Sequence, residues 1–284
     1  MELYDLLPPT SMISIADIGA MLLDSNRPFY HGLVEVGRAR VFAFEPDKTE
    51  CDKLNLVMGN GYRIFPNFVG DGGPATYYQT NHAMTGSLFP PNRKLLEIFT
   101  NLAELTTLIA THAVETTRLD DVLGDQDVDL LKIDVQGSEL MVFRNGHEVL
   151  ARTTIVHTEV CFVELYEDQP LFAEIDQFLR KAGFQFHTFL GFGQRTYKPI
   201  ICNNDINAGI NQHLWSDAIY IRHSLDLPNL PLDKLVKMAI LVHVLYKSYD
   251  LCHYILSEID QQVGSSLSSA YLFFMNDSVR GSYA

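Results

Sequence analysis

From near residue 14 to near residue 190, short apolar runs alternate with stretches of helical periodicity, and this rhythm constrains the fold more than any other feature of the chain. Runs too short for a helix, each followed by a helical stretch, read as successive βα units on a parallel sheet. Strands are expected at 13–18 (ISIADI), 39–45 (ARVFAFE), 62–69 (YRIFPNFV), 128–134 (VDLLKID), 154–160 (TIVHTEV) and 184–190 (FQFHTFL). The intervening helices are clearest from Asp47, after Gly137, and over QPLFAEIDQFLRKAG, where Gly183 supplies the stop. LLKI is apolar without alternation except at Lys132, which suits a central strand covered on both faces. The segment 215–223 adds a last, antiparallel strand, so the fold class is α/β, Rossmann-like, with a mostly parallel sheet.

Two regions break the rhythm. Residues 80–113 read as a loop (NHAMTGSLFPPN) followed by a helix over 93–110, an insertion large enough to cover a pocket. LVKMAILVHVLY, at 235–246, places Leu235, Met238, Leu241, Val242 and Leu245 at three- and four-residue steps, the pattern of a helix burying one broad face. It is interrupted by His243, flanked by Lys234 and Lys247, and too short to span a bilayer. The expected organisation is a domain over 1–228 with cover 80–113, and a helical extension over 229–284 that docks on the domain or on a second subunit.

Charge and cysteine content exclude several function classes. A net charge of −14 opposes any sequence-independent grip on nucleic acid or an anionic membrane. The four cysteines lie far apart with no CxxC pair, so neither a zinc knuckle nor a disulfide framework is indicated. The N-terminal MELYDLLPPTSM has no basic n-region and no long apolar run, which predicts a cytoplasmic protein.

In an open parallel sheet, ligands bind beyond the carboxyl ends of the strands. There the first strand delivers Asp17, Gly19 and Ala20, and the second ends in Glu45 and Pro46; a carboxylate at that place can accept from both hydroxyls of a ribose. The third ends in VGDGG, with Asp71 and Gly72, and the fourth in Asp134. Singly, each has a structural explanation: Gly-Asp-Gly-Gly is a common turn, a strand-terminal Glu is often solvated, and Glu139 suits the positive end of a helix. Recurrence at successive ends of one sheet is the signal.

The chain resembles the FkbM family of S-adenosylmethionine-dependent methyltransferases. The resemblance rests on DIGA (17–20), FEP (44–46), VGDGG (69–73), TTRLDDVL (116–123), DLLKIDVQGSEL (129–140) and TEVCFVELYEDQPLFAEIDQFLRKAGF (158–184), covering about residues 12–190. It implies a class I methyltransferase fold, S-adenosylmethionine as cofactor, and a hydroxyl acceptor on a sugar or polyketide-like small molecule. Family members read Asp-x-Gly-Ala-Asn-x-Gly in the first loop. Here Met21 and Leu23 stand at the Asn and final Gly positions, so the amino-acid tail of the cofactor is either held differently or held less well.

Methyl transfer to an alcohol requires an in-line acceptor and a proton acceptor. Asp134 is the leading candidate base, with Glu159 and His157 on one face of the next strand as partners. A divalent cation between Asp134 and Glu159 is a further option. His82 and Ser87 in the inserted loop and Gln136 in the turn are candidate acceptor contacts. Two other classes compete: a non-catalytic fold of this type serving as a binding partner in glycan assembly, favoured by Met21 and Leu23, and a nicotinamide-dependent oxidoreductase, disfavoured because the first loop lacks the three-glycine fingerprint.

Overall fold

The computed structural model describes residues 3–21 and 27–280. The strands are β1 (Ile13–Ile18), β2 (Ala39–Phe44), β3 (Tyr62–Phe65), β4 (Phe68–Val69), β5 (Pro74–Thr80), β6 (Leu108–Thr117), β7 (Leu130–Ile133), β8 (Ile155–Cys161), β9 (Phe184–Gln194) and β10 (His213–Arg222). The chain forms two compact units, one from Ser14–Arg27 and Val41–Ile221, the other from the residues up to Ile13 with Pro28–Arg40 and Arg222 onward.

The larger unit is built on a seven-stranded sheet of order β3-β2-β1-β7-β8-β10-β9. β7 runs parallel to β1 and β8, β2 runs parallel to β3, and β10 is antiparallel to β8. Strand order reverses between β1 and β7, which opens a crevice beyond their carboxyl ends. Leu130, Leu131 and Ile133 of β7 are fully buried, as the unalternating LLKI required. Leu131 and Ile133 share a core with Ala16, Phe44, Val156 and Tyr220. The expected helix from Asp47 spans Lys48–Val57, because the Asp47 carboxylate accepts from the amides of Thr49 and Glu50. The helix Phe172–Lys181 ends just before Gly183, which adopts positive φ.

Two sequence expectations are corrected here. The run 62–69 is not one strand: Pro66, which has no amide to donate, separates β3 in the large sheet from β4 in a second, three-stranded sheet of order β4-β6-β5. The stretch 93–110 is not one helix either. It makes single turns at Arg93–Leu96 and Leu102–Leu105, interrupted by Asn101 in the left-handed region, and then enters β6. The β-branched residues from Thr106 to Thr117 favour the extended form, and β6 pairs antiparallel with β5. The cover is thus a long excursion, residues 81–107, between two paired strands.

In the smaller unit, Leu232–Val244, Tyr249–Val263 and Leu267–Arg280 are helices packed in succession. Leu235 through Val242 are all buried, a wider burial than the single face expected from the periodicity. Lys237 is among them and pairs with Asp233 at 2.9 Å. Asp233 also accepts from the Thr10 hydroxyl at 2.6 Å and the Ser11 amide at 2.9 Å, fastening the N-terminal segment to this helix. The helix His31–Glu35 follows Pro28, whose carbonyl accepts from the His31 amide. No helix among the described residues is long and apolar enough to cross a membrane.

Candidate active site

Gly19 closes β1 at the crevice with φ +84°, a conformation open to glycine. A Cβ at this position would sit 1.9 Å from the Asp134 carbonyl oxygen, so the turn after β1 and the end of β7 cross at glycine distance. The amides of Gly19 and Ala20 both donate to the Phe44 carbonyl at 3.0 Å, which binds this turn to the end of β2. Beyond it lies an open cleft at the carboxyl ends of the strands. The strand ends line it with Gly19, Met21, Glu45, Pro46, Asp134 and Glu159, and the second sheet and cover add Tyr77, Met84 and Ser87. Leu23 lies outside the described residues.

Glu45 is buried at the end of β2, where one oxygen accepts from the Asp47 amide at 2.7 Å. Burial pushes its carboxyl up to about 7. Tyr77 lines the same cleft and packs on Phe68 with ring centroids 5.1 Å apart.

Around Asp134 the polar groups interlock. Lys132 is 3.1 Å from Asp17 and 4.0 Å from Asp134; burial opposes its charge, but the two carboxylates prevail and hold its pKa above the usual lysine value. Gln136 has φ +54° and directs Nε2 to Asp134 Oδ1 at 2.8 Å and to Glu159 Oε2 at 3.0 Å. Glu139 is 2% exposed, and its carboxylate accepts from the amides of Val135 at 3.0 Å and Gly137 at 3.1 Å. Burial raises the Glu139 carboxyl to about 7 in spite of those bonds. Glu159 is pushed well above the carboxylate range by burial and by neighbouring Asp134 and Glu139. Oxygens of Asp134, Glu139 and Glu159 lie within 4.8 Å of one another, within reach of one hard cation, although Glu139 already serves the backbone of its own turn.

The structure brings together most of the residues expected from sequence and sets others apart. Gly19, Glu45, Pro46, Ser87, Asp134, Gln136 and Glu159 line the cleft. Asp17 is one strand position back, paired with Lys132, and Ala20 is buried behind the turn. His157 is buried beside Lys132 in the parallel register, 3.6 Å from Asp217, and is not part of the lining. Asp71 caps its own turn, accepting from the Gly73 amide at 2.9 Å and the Thr116 hydroxyl at 3.1 Å, while Gly72 donates to that hydroxyl. Neither Asp71 nor Gly72 faces the cleft, because β4 carries VGDGG into the second sheet. His82 is exposed, and its carbonyl accepts from Thr80 and Thr85. Ser87 turns its hydroxyl to the Gln136 carbonyl at 2.6 Å. Sequence reasoning gave no site role to Lys132, Tyr77 or Tyr166; alternation placed Lys132 on the face of Asp134, the one signal available for it.

The sheet order defines a Rossmann-like α/β fold with acids at its switch point. The chain belongs to the family described as the methyltransferase FkbM domain, whose model matches residues 17–186. With that membership the sheet is a class I methyltransferase fold. The chain is 32% identical over 153 residues to the 2-O-methyltransferase NoeI of Sinorhizobium fredii (strain NBRC 101917 / NGR234), a match covering 49% of this chain and 61% of that relative. Among solved structures it is similar to magnesium protoporphyrin IX methyltransferase (ChlM) from Synechocystis PCC 6803 with bound SAM, at 9% identity and TM-score 0.36, covering 78% of this chain and 73% of the other. A putative S-adenosylmethionine-dependent methyltransferase from Listeria monocytogenes matches at 7% identity and TM-score 0.36, covering 78% and 96%.

Proposed function

We propose that the protein is an S-adenosylmethionine-dependent O-methyltransferase acting on a hydroxyl of a sugar or polyketide-like small molecule. The observation that carries the reading is the cleft at the β1/β7 reversal, which Gly19 lines and where Glu45 presents a carboxylate at the end of β2. The strand-end acid fits the cofactor: Glu45 lines the cleft and offers acceptors for a ribose diol. The similarity to a 2-O-methyltransferase supports a hydroxyl acceptor.

When bound, the cofactor supplies an electrophilic methyl group. The remaining work falls to the chain. Glu45 accepts from the ribose hydroxyls, and Asp134, held at its place by Gln136 and Lys132, faces the cleft as acceptor for the proton that the alcohol loses. Glu159, whose carboxyl burial holds above the usual carboxylate range, stands on the far side of the Gln136 amide. Tyr77 of β5 and Met84 of the cover line the cleft beside these acids.

The test is calorimetric titration of the purified protein with S-adenosylmethionine, S-adenosylhomocysteine and NAD. Saturable binding of the first two but not of NAD is expected. An absent heat and an absent thermal shift with both adenosyl ligands would remove the reading.

A further inference from the structure

We infer that Tyr166 is a positioning residue: its hydroxyl fixes the amide of Gln136 so that the amide's two N–H donors hold Asp134 and Glu159 toward the cleft. The inference rests on the methyltransferase reading and deepens it by assigning the group that orients the two acids.

Tyr166 lies in the loop after β8, 3% exposed, with its backbone bridged to Pro91 of the cover excursion. Its hydroxyl is 3.0 Å from Gln136 Oε1 and 3.0 Å from the Thr85 carbonyl. Both neighbours are acceptors, so the one phenolic proton goes to either, and Gln136 Oε1 has this hydroxyl to meet its need. The amide setting follows from the acids as well. With Nε2 inward, each of its two protons meets one carboxyl oxygen, at 2.8 and 3.0 Å. Turned the other way, Oε1 would face both acids and need a proton on each, while Nε2 would face the phenol.

Gln136 holds this place at φ +54°, a left-handed conformation that a residue other than glycine adopts at a cost, and its carbonyl is held by the Ser87 hydroxyl at 2.6 Å. The strained turn, the Ser87 bond and the phenol all serve one result, the aim of the amide between Asp134 and Glu159. Tyr166 itself does not line the cleft, so it acts through Gln136. Burial and the charge of Glu159 keep the phenol protonated, as a donor must be.

The experiment uses the full chain and needs no acceptor for its first arm. The side-chain NH₂ resonances of Gln136 are assigned by their loss in Gln136→Leu, and their exchange with solvent is then compared in wild type and Tyr166→Phe. At least about tenfold faster exchange in Tyr166→Phe, with an unchanged melting temperature, is expected. The second arm measures methyl transfer from S-adenosylmethionine to a panel of methyl glycosides. Tyr166→Phe should lower kcat about tenfold or more at constant KM for the cofactor, and the double variant should be no slower than Gln136→Leu alone, since the two residues act as one unit. Unchanged NH₂ exchange, or rate losses that multiply, would overturn the inference. Should Tyr166→Phe unfold, Ser87→Ala serves in its place, and slow NH₂ exchange with Gln136 untethered at its carbonyl would still locate the control in the phenol, whereas fast exchange would move it to Ser87 and sink the proposal. A wild type that binds no S-adenosylmethionine removes the methyltransferase reading, and this inference with it, while binding with an unaffected Gln136 signal removes this inference alone.

Discussion

Glu45 and Asp134 stand in one cleft, Glu45 as acceptor for the cofactor and Asp134 as acceptor for the alcohol proton. Because burial raises the Glu45 carboxyl to about 7, it is half protonated near neutrality, whereas a ribose diol is best met by the carboxylate. Cofactor affinity should therefore tighten as pH rises from 6 to 8, and Glu45→Gln should flatten that dependence. Glu45→Ala should weaken binding by about 1.5–3 kcal/mol, the worth of hydrogen bonds to a charged group, as read by calorimetry at pH 8. For Asp134 the prediction concerns rate. Asp134→Asn keeps the size and most hydrogen bonds of the side chain, so fold and cofactor affinity should persist while turnover on the glycoside panel drops about 10²-fold, the loss of a positioned base. Wild-type turnover in that variant would make Asp134 a structural residue. The raised pKa of Glu139 carries a stability sign of its own. Its contribution is fully present below the unfolded value of 4.5 and is lost as pH rises through about 7, so urea midpoints should fall over that window, less so in Glu139→Gln.

At the scale of elements, the turn after β1 is the most demanding joint. Gly19→Ala places a Cβ 1.9 Å from a backbone oxygen at φ +84°, and neither partner is a flexible side chain. A cost of about 3 kcal/mol or more is expected, seen as a melting temperature lower by on the order of 10 °C. The same scale explains what the sequence disclosed. The strands β1, β2, β7, β8 and β10 were legible because each is a local apolar run with a turn or helix after it, and Glu45, Asp134 and Glu159 followed from their places at or near strand ends. β5 and β6 were not, since their pairing joins residues 74–80 to 108–117 across the whole cover, and no local period records a partner thirty residues away. The misplacement of Asp71 has a similar cause. Pro66 breaks the third strand, and what reads as its carboxyl end belongs to another sheet. Tyr166 stayed hidden because it reaches Gln136 from a loop, where neither alternation nor helical spacing says which way a side chain turns.

At the scale of the whole molecule, the informative fact is that three distant segments form the smaller unit. The residues up to Ile13 meet the last helices through the contact of Leu3–Leu6 with Leu267–Arg280, and through Thr10 and Ser11 on Asp233. Burial works to raise the Asp233 carboxyl, but the bonds from Thr10, Ser11 and Lys237 prevail and hold it well below the usual range. That contribution is present at neutral pH and is lost as the solution falls below the unfolded value of 3.8. Truncation after residue 228 takes away both Asp233 and the helices Leu232–Val244 and Tyr249–Val263, whose buried residues include Leu235, Ile240, Ile255 and Ile259. It leaves Tyr30 and Leu33, each about 1% exposed in the intact chain, without the rest of their unit. Soluble proteins avoid contiguous apolar surface of that kind. The truncated chain should therefore aggregate or melt well below the full chain, and Asp233→Ala, which removes only the fastening of the N-terminal segment and the partner of Lys237, should give a smaller loss of about 1–2 kcal/mol. A truncated chain that stays monodisperse with an unchanged melting temperature would mean that these three segments do not fold as one unit.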